Sequence, residues 1–179
     1  MMKSMNIKKL ALSGMMIALA VVLSTFSFPI GASKCFPIQH MVNVLSAVFL
    51  GPWYGVAVAF CTSLIRNLMG TGTLLAFPGS MVGALCCGLV FRFTRKYIPT
   101  YLAEIVGTGV LGGMLAYPIA VLVMGKEAAI FTYVLPFFIS TFGGTVIAAV
   151  LVTALQQTKV LAKLQEMLDN EDGKQRTVA

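Results

Sequence analysis

Lys34, Gln39, His40 and Asn43 lie close together in the stretch Gly31-Ala-Ser-Lys-Cys-Phe-Pro-Ile-Gln-His-Met-Val-Asn43, between two apolar runs, and His40 is the chain's only histidine. On a helix Gln39, His40 and Asn43 follow at i, i+1 and i+4 and share one side. Amides both donate and accept hydrogen bonds, and an imidazole nitrogen does either. Such groups beside hydrocarbon are costly unless they meet water, one another or a ligand. The chemistry this pattern supports is recognition of a small, mostly neutral ring compound. Covalent chemistry is harder to assemble. No HExxH, GxSxG or Walker A pattern occurs, and Glu104 and Glu127 fall near opposite ends of one apolar segment, so neither a paired carboxylate nor an acidic proton relay is expected. A membrane-embedded enzyme using His40 or Cys35 would need a second positioned group, and none stands out. The cysteines (Cys35, Cys61, Cys86, Cys87) lack metal-ligand spacing, and no structural disulfide is expected.

The elements that must position these groups are membrane helices. The chain has 179 residues, 58% of them hydrophobic and 11% charged, too little polar surface for a soluble domain of this size. Six spans are read: about Leu10–Phe28, Gln39–Leu50, Tyr54–Met69, Pro78–Arg92, Tyr101–Met124 and Phe131–Leu155. Gly51-Pro-Trp53 and Gly70-Thr-Gly-Thr73 are turns. The expected fold is an all-α integral membrane protein. Residues 1–9 form a cytoplasmic N-terminus, 10–155 a six-helix substrate-binding domain, and 156–179 a polar cytoplasmic tail. Leu161, Leu164 and Leu168 predict a short amphipathic helix in that tail. The N-terminal run imitates a secretory signal, but its length and the spans after it predict a retained helix.

The net charge of +7 is spread over short clusters beside apolar runs, with no basic face and no nucleic-acid motif, so no nucleic-acid partner is expected. The clusters fit the positive-inside rule. Lys3, Lys8 and Lys9, then Arg92, Arg95 and Lys96, then Lys159 and Lys163 all fall on the cytoplasmic side if there are six crossings with both termini inside. That topology brings several groups to the outer face: Phe36, Gln39, His40 and Asn43 near the second helix, Arg66 and Asn67 closing the third, Phe77 and Ser80 opening the fourth, and Tyr117 and Tyr133 in the outer halves of the fifth and sixth. Duller roles compete. Arg66 can snorkel to head groups, Asn67 can cap its helix, and the two tyrosines can belong to an interfacial belt. On the first helix Ala11, Gly14 and Ala18 form a small-residue face, suited either to internal packing or to docking another membrane protein.

Three blocks carry a family resemblance: Lys34-Cys-Phe-Pro-Ile-Gln-His-Met-Val-Asn43, Gly51-Pro-Trp-Tyr54, and Ser63-Leu-Ile-Arg-Asn-Leu-Met-Gly-Thr-Gly-Thr73 followed by Ala76-Phe-Pro-Gly-Ser80. From about Leu10 to Leu155 the chain resembles the thiazole-type (ThiW) substrate-binding S components of energy-coupling factor transporters. The resemblance implies a six-helix fold with an external pocket roofed by loops, in a multi-pass protein of the cell membrane. It implies partnership with a transmembrane coupling protein and two cytoplasmic ATPase subunits, which hydrolyse the ATP, so this chain needs no cofactor. It implies the thiamin precursor hydroxyethylthiazole as cargo, with another small vitamin or precursor such as a pyrimidine as the runner-up. Members of this type often carry an Ala-xxx-Ala docking pattern on the first helix, where Gly14 and Ala18 stand here. A purely structural membrane subunit is the remaining reading.

Overall fold

The computed structural model describes residues 7–31 and 33–177, with side-chain surroundings as far as residue 168. Most of the expected N-terminal segment, including Lys3, lies outside the described residues, as do positions 178 and 179 of the tail. Seven helices and one hairpin follow in order. These are α1 (Ile7–Val22, extended by a 3-10 turn Leu23–Thr25), β1 (Phe28–Ile30), β2 (Ser33–Cys35), α2 (Pro37–Phe49) and α3 (Pro52–Leu68). Then come α4 (Ala76–Thr94), α5 (Tyr97–Val123), α6 (Val134–Gln157) and α7 (Val160–Thr177).

Proline and glycine place several boundaries. Pro37 and Pro52 open α2 and α3 at the position where a missing N–H costs nothing. Gly51, at φ 83°, makes the turn between them in a backbone region that residues with a Cβ avoid. The hairpin occupies the connection between the expected spans Leu10–Phe28 and Gln39–Leu50. Phe28 pairs with Cys35 and Ile30 with Ser33, around Gly31 at φ 54°. Strands of three residues are too short to show the alternation that marks a strand in sequence.

α2 is the hub. Every residue from Gln39 to Phe49 is buried, enclosed by α3, α4, α6 and the start of α5. At 1.5 Å per residue its 13 residues rise about 20 Å, short of the ~30 Å of a bilayer core. Its lower half belongs to an apolar cluster with Leu45, Val48 and Leu50, Val58 of α3, Phe91 of α4 and Val152 of α6. The amphipathic tail joins the same cluster. Leu161 and Leu168 are buried in it, Leu164 packs against it, and Gln165 Nε2 donates to the Val48 carbonyl at 3.2 Å.

α5 is irregular. α-Helical from Tyr97 to Glu104, it widens into a π-helix over Ile105–Gly112, tightens over Gly113–Pro118 and widens again over Ile119–Val123. It crosses α4 closely where Gly83 faces Glu104 and Thr108 and where Gly107 faces Cys86 and Gly83. The outside of the bundle carries large apolar residues, among them Phe93, Leu122, Leu135 and Val150, as a surface facing lipid does. Among the described residues four helices are long and apolar enough to cross a membrane: Ile7–Thr25, Ala76–Thr94, Tyr97–Val123 and Val134–Gln157. The protein is an all-α, multi-pass membrane protein.

Candidate functional site

A cavity opens at the N-terminal end of α2, between the hairpin, the 70–76 loop, α4, α5 and α6. It encloses about 380 Å³ of atom-free space, counting its mouth. Because α2 begins well inside the bundle, its first turn forms part of the wall. Gln39 and His40 line the cavity with Ser80 of α4, Thr108 of α5 and the rings of Phe36 and Phe137, while Lys34 stands exposed at the mouth.

Two buried charged groups hold these wall residues from behind. The first is Arg66, 1% exposed at the end of α3. Its guanidinium lies 3.7 Å from the centre of the Phe36 ring, and Nη1 donates to Gln39 Oε1. Because arginine only donates, this contact fixes which way the Gln39 amide points. Gln39 Nε2 then donates to Ser63 Oγ at 3.0 Å, and Ser80 Oγ commits its proton to the Ala76 carbonyl at 2.8 Å. Ser63 must therefore donate to Ser80 Oγ, 3.0 Å away. Nε and Nη2 of Arg66 have no hydrogen-bond partner among the described residues. Full burial takes Arg66 out of the snorkelling role that its helix-end position permits.

The second charged group is Glu104, fully buried on α5. Its Oε1 accepts from Asn43 Nδ2 at 3.0 Å and Thr108 Oγ1 at 3.0 Å, and meets His40 Nδ1 at 3.1 Å. Asn43 Nδ2 also donates to the Ser80 carbonyl at 3.2 Å. The two networks thus meet at Ser80.

The sequence-derived candidates divide accordingly. Phe36, Gln39, His40 and Ser80 line the cavity, with Asn43 and Arg66 hydrogen-bonded to the wall or to its supports. Asn67 does not line it. Its Nδ2 donates to the carbonyls of Ser63 and Thr73, tying the 70–76 loop to α3. Phe77 packs its ring on Phe60 at 5.6 Å. Tyr133 is buried in a separate apolar cluster with Leu75, Ala116 and Phe137, and Tyr117 is half-buried on α5 away from the cavity lining. Sequence reasoning missed Glu104, Thr108, Phe137 and Ser140. The signal for Glu104 was available: it is the sole charged residue from Tyr97 to Val123, and an ionisable group inside such a run marks a functional site by default.

Cys35, named as a possible nucleophile, is fully buried, and its thiol donates to the Pro136 carbonyl at 3.2 Å. Burial pushes that thiol's pKa up, against a smaller opposing effect of Ser140, so the nucleophilic thiolate is disfavoured. Ser140 instead receives the Phe36 N–H at 2.8 Å, pinning the end of the hairpin to α6.

A family model described as thiamine-precursor transporter protein (ThiW) matches residues 10–158. The chain belongs to the ThiW family. No curated protein and no solved structure matches it. Membership in ThiW makes the chain a thiamine-precursor transporter, a role that asks for a small-molecule site inside a membrane bundle. The match spans α1 to α6 and includes every cavity-lining residue.

Proposed function

We propose that this ThiW protein is the substrate-binding S component of an energy-coupling factor importer and that its cargo is hydroxyethylthiazole. The observation that carries this reading is the cavity wall: Gln39 and His40, each locked by a buried charged residue, beside the rings of Phe36 and Phe137. A thiazole presents an aromatic face, a ring-nitrogen acceptor and a hydroxyl arm, which match rings, amide and imidazole. Apart from its open mouth the cavity has room for only a water or two, so the hairpin or the 70–76 loop must give way to admit the ring.

Six crossings with both termini inside complete the reading, α2 and α3 being the two short spans. The basic groups Arg92, Arg95, Lys96, Lys159 and Lys163 sit near residues of the apolar cluster at the foot of α2, away from the cavity mouth, which supports an external mouth. Coupling to ATP falls to a transmembrane coupling protein and two ATPase subunits. Ala11, Gly14 and Ala18 are exposed on α1, and no atom lies within 4 Å of a Cβ built at Gly14, which supports a docking face over internal packing.

Calorimetric titration of the purified protein with hydroxyethylthiazole tests the cargo. His40→Ala and Asn43→Ala should each weaken binding about tenfold or more, as loss of a buried hydrogen-bond partner worth ~1–3 kcal/mol requires. Unchanged affinity in both moves the site elsewhere. Tight binding of a pyrimidine precursor in place of the thiazole would reassign the cargo but keep the subunit's role.

A further inference from the structure

Glu104 and His40 form a buried acid–imidazole pair whose proton count determines what the cavity can bind. The carboxylate is fully buried, so an uncompensated negative charge there is expensive. Among the described residues His40 is the one basic group in contact with it. Arg66 is bonded to Gln39 and stacked on Phe36, Lys34 stands at the exposed mouth, and Cys86 and Cys87 on α4 supply no positive charge. Two arrangements cancel that charge and give the acid proton an acceptor. In one, a carboxylate faces an imidazolium, and both ring nitrogens carry protons. In the other, a neutral carboxyl donates to Nδ1, and the ring's own proton sits on Nε2. Both put a proton on Nε2. A lone pair on Nε2 needs either the net-negative state, carboxylate beside neutral imidazole, or an acid proton on Oε2, a buried atom with no hydrogen-bond partner among the described residues to receive it. Among the described residues no hydrogen bond reaches Nε2, and His40 lines the cavity.

We infer that Glu104 is a positioning residue that keeps His40 Nε2 protonated, so that the imidazole donates a hydrogen bond into the cavity and selects cargo with an uncharged aromatic ring nitrogen. The inference rests on the cavity being the cargo site, as proposed above. Its consequence is discrimination. A thiazole nitrogen has a lone pair to receive the proton. An N-alkylated thiazolium, the form the ring takes once built into the finished vitamin, has none and brings a positive charge to a donor. The site thus separates precursor from product at one atom. Rejection of a group that leaves a buried donor unpaired is stronger than rejection by shape alone.

The proton can be observed directly. With a single histidine in the chain, ¹⁵N-histidine labelling gives one imidazole whose nitrogen shifts report each protonation state in the folded, cargo-free protein at neutral pH. A protonated Nε2 is expected, and an unprotonated Nε2 overturns the inference. The second measurement is titration with hydroxyethylthiazole and with its N-methylthiazolium. The wild type should prefer the neutral ring by about tenfold or more, one hydrogen bond's worth. Equal affinity for the two overturns the inference.

In Glu104→Gln, Asn43 Nδ2 and Thr108 Oγ1 hold the amide oxygen where Oε1 was, so Nδ1 must donate and Nε2 is left bare. The preference should fall toward one, and the labelled Nε2 should lose its proton. A preserved preference with a protonated Nε2 in this variant also overturns the inference. If the variant does not fold, the wild-type spectrum decides. If the wild type binds neither ring, the cargo reading fails, and the same spectrum still decides where the proton sits.

Discussion

Replacing Gly83 with alanine tests the site's construction at its tightest point. A Cβ at Gly83 lands 2.8 Å and 3.0 Å from the two Glu104 carboxylate oxygens and against the Thr108 hydroxyl. Real Cβ atoms do not approach so closely. α4 cannot retreat freely from α5, because its Gly88 already packs on the Pro52 backbone of α3. Either the helices part or Glu104 rotates away from His40 and Asn43. Overpacking costs about 1–3 kcal/mol, and stripping a hydrogen bond from a buried polar group about 1–3 more. A loss of roughly 2–6 kcal/mol would consume much of a typical folding stability. Thermal unfolding in detergent, followed by cargo titration at a temperature where the variant is folded, reads both effects. Gly14→Ala is the control, since its Cβ meets nothing within 4 Å, and it should unfold and bind like wild type. A Gly83→Ala protein with wild-type unfolding temperature and wild-type affinity would refute the packing argument and, with it, Glu104's placement beneath His40.

Three further outcomes are expected. In a background lacking the native cysteines, a cysteine at Thr71 should react with an impermeant thiol reagent from outside and one at Thr94 should not; the reverse pattern places the cavity mouth in the cytoplasm. Leu at Gly14 and Ala18 should leave cargo binding intact but abolish co-purification with the coupling and ATPase subunits, and normal assembly would remove the docking role. Leu161→Ala should destabilise the bundle by about 2–5 kcal/mol, the cost of truncating a buried leucine, so an unchanged unfolding temperature would show that the tail is not part of the core.

Several helix starts were legible to about two residues, because proline and glycine act locally: the starts read at Gln39, Tyr54 and Pro78 fall at Pro37, Pro52 and Ala76. The tail helix was legible for a similar reason, its three leucines repeating at helical spacing. The hairpin was not, since three residues per strand carry no periodicity. The site was half legible. Gln39, His40 and Asn43 share a turn, so their grouping follows from spacing alone. Glu104 reaches them through tertiary packing, from a helix counted as starting far from the site, and counting does not show that α2 is short enough for its first turn to meet Glu104. Tyr133 illustrates the converse error. A tyrosine in the outer half of a span can face the ligand, the interface or the core, and only its neighbours Leu75 and Phe137 show that it is core.

The π-helical stretch Ile105–Gly112 begins immediately after Glu104. Each residue turns an α-helix by about 100° and the wider π-helix by less, so deleting one residue there would rotate everything beyond it except so far as the stretch rewinds to absorb the loss. Thr108 would leave the carboxylate, and Gly112 would turn a neighbouring side chain into the Gly79 backbone it now fits against. Natural variation in this stretch should then consist of exchanges between small residues at constant length. An insertion or deletion of one residue should be rarer there than at the 124–133 connection, even though the stretch contains little except glycine and aliphatic side chains.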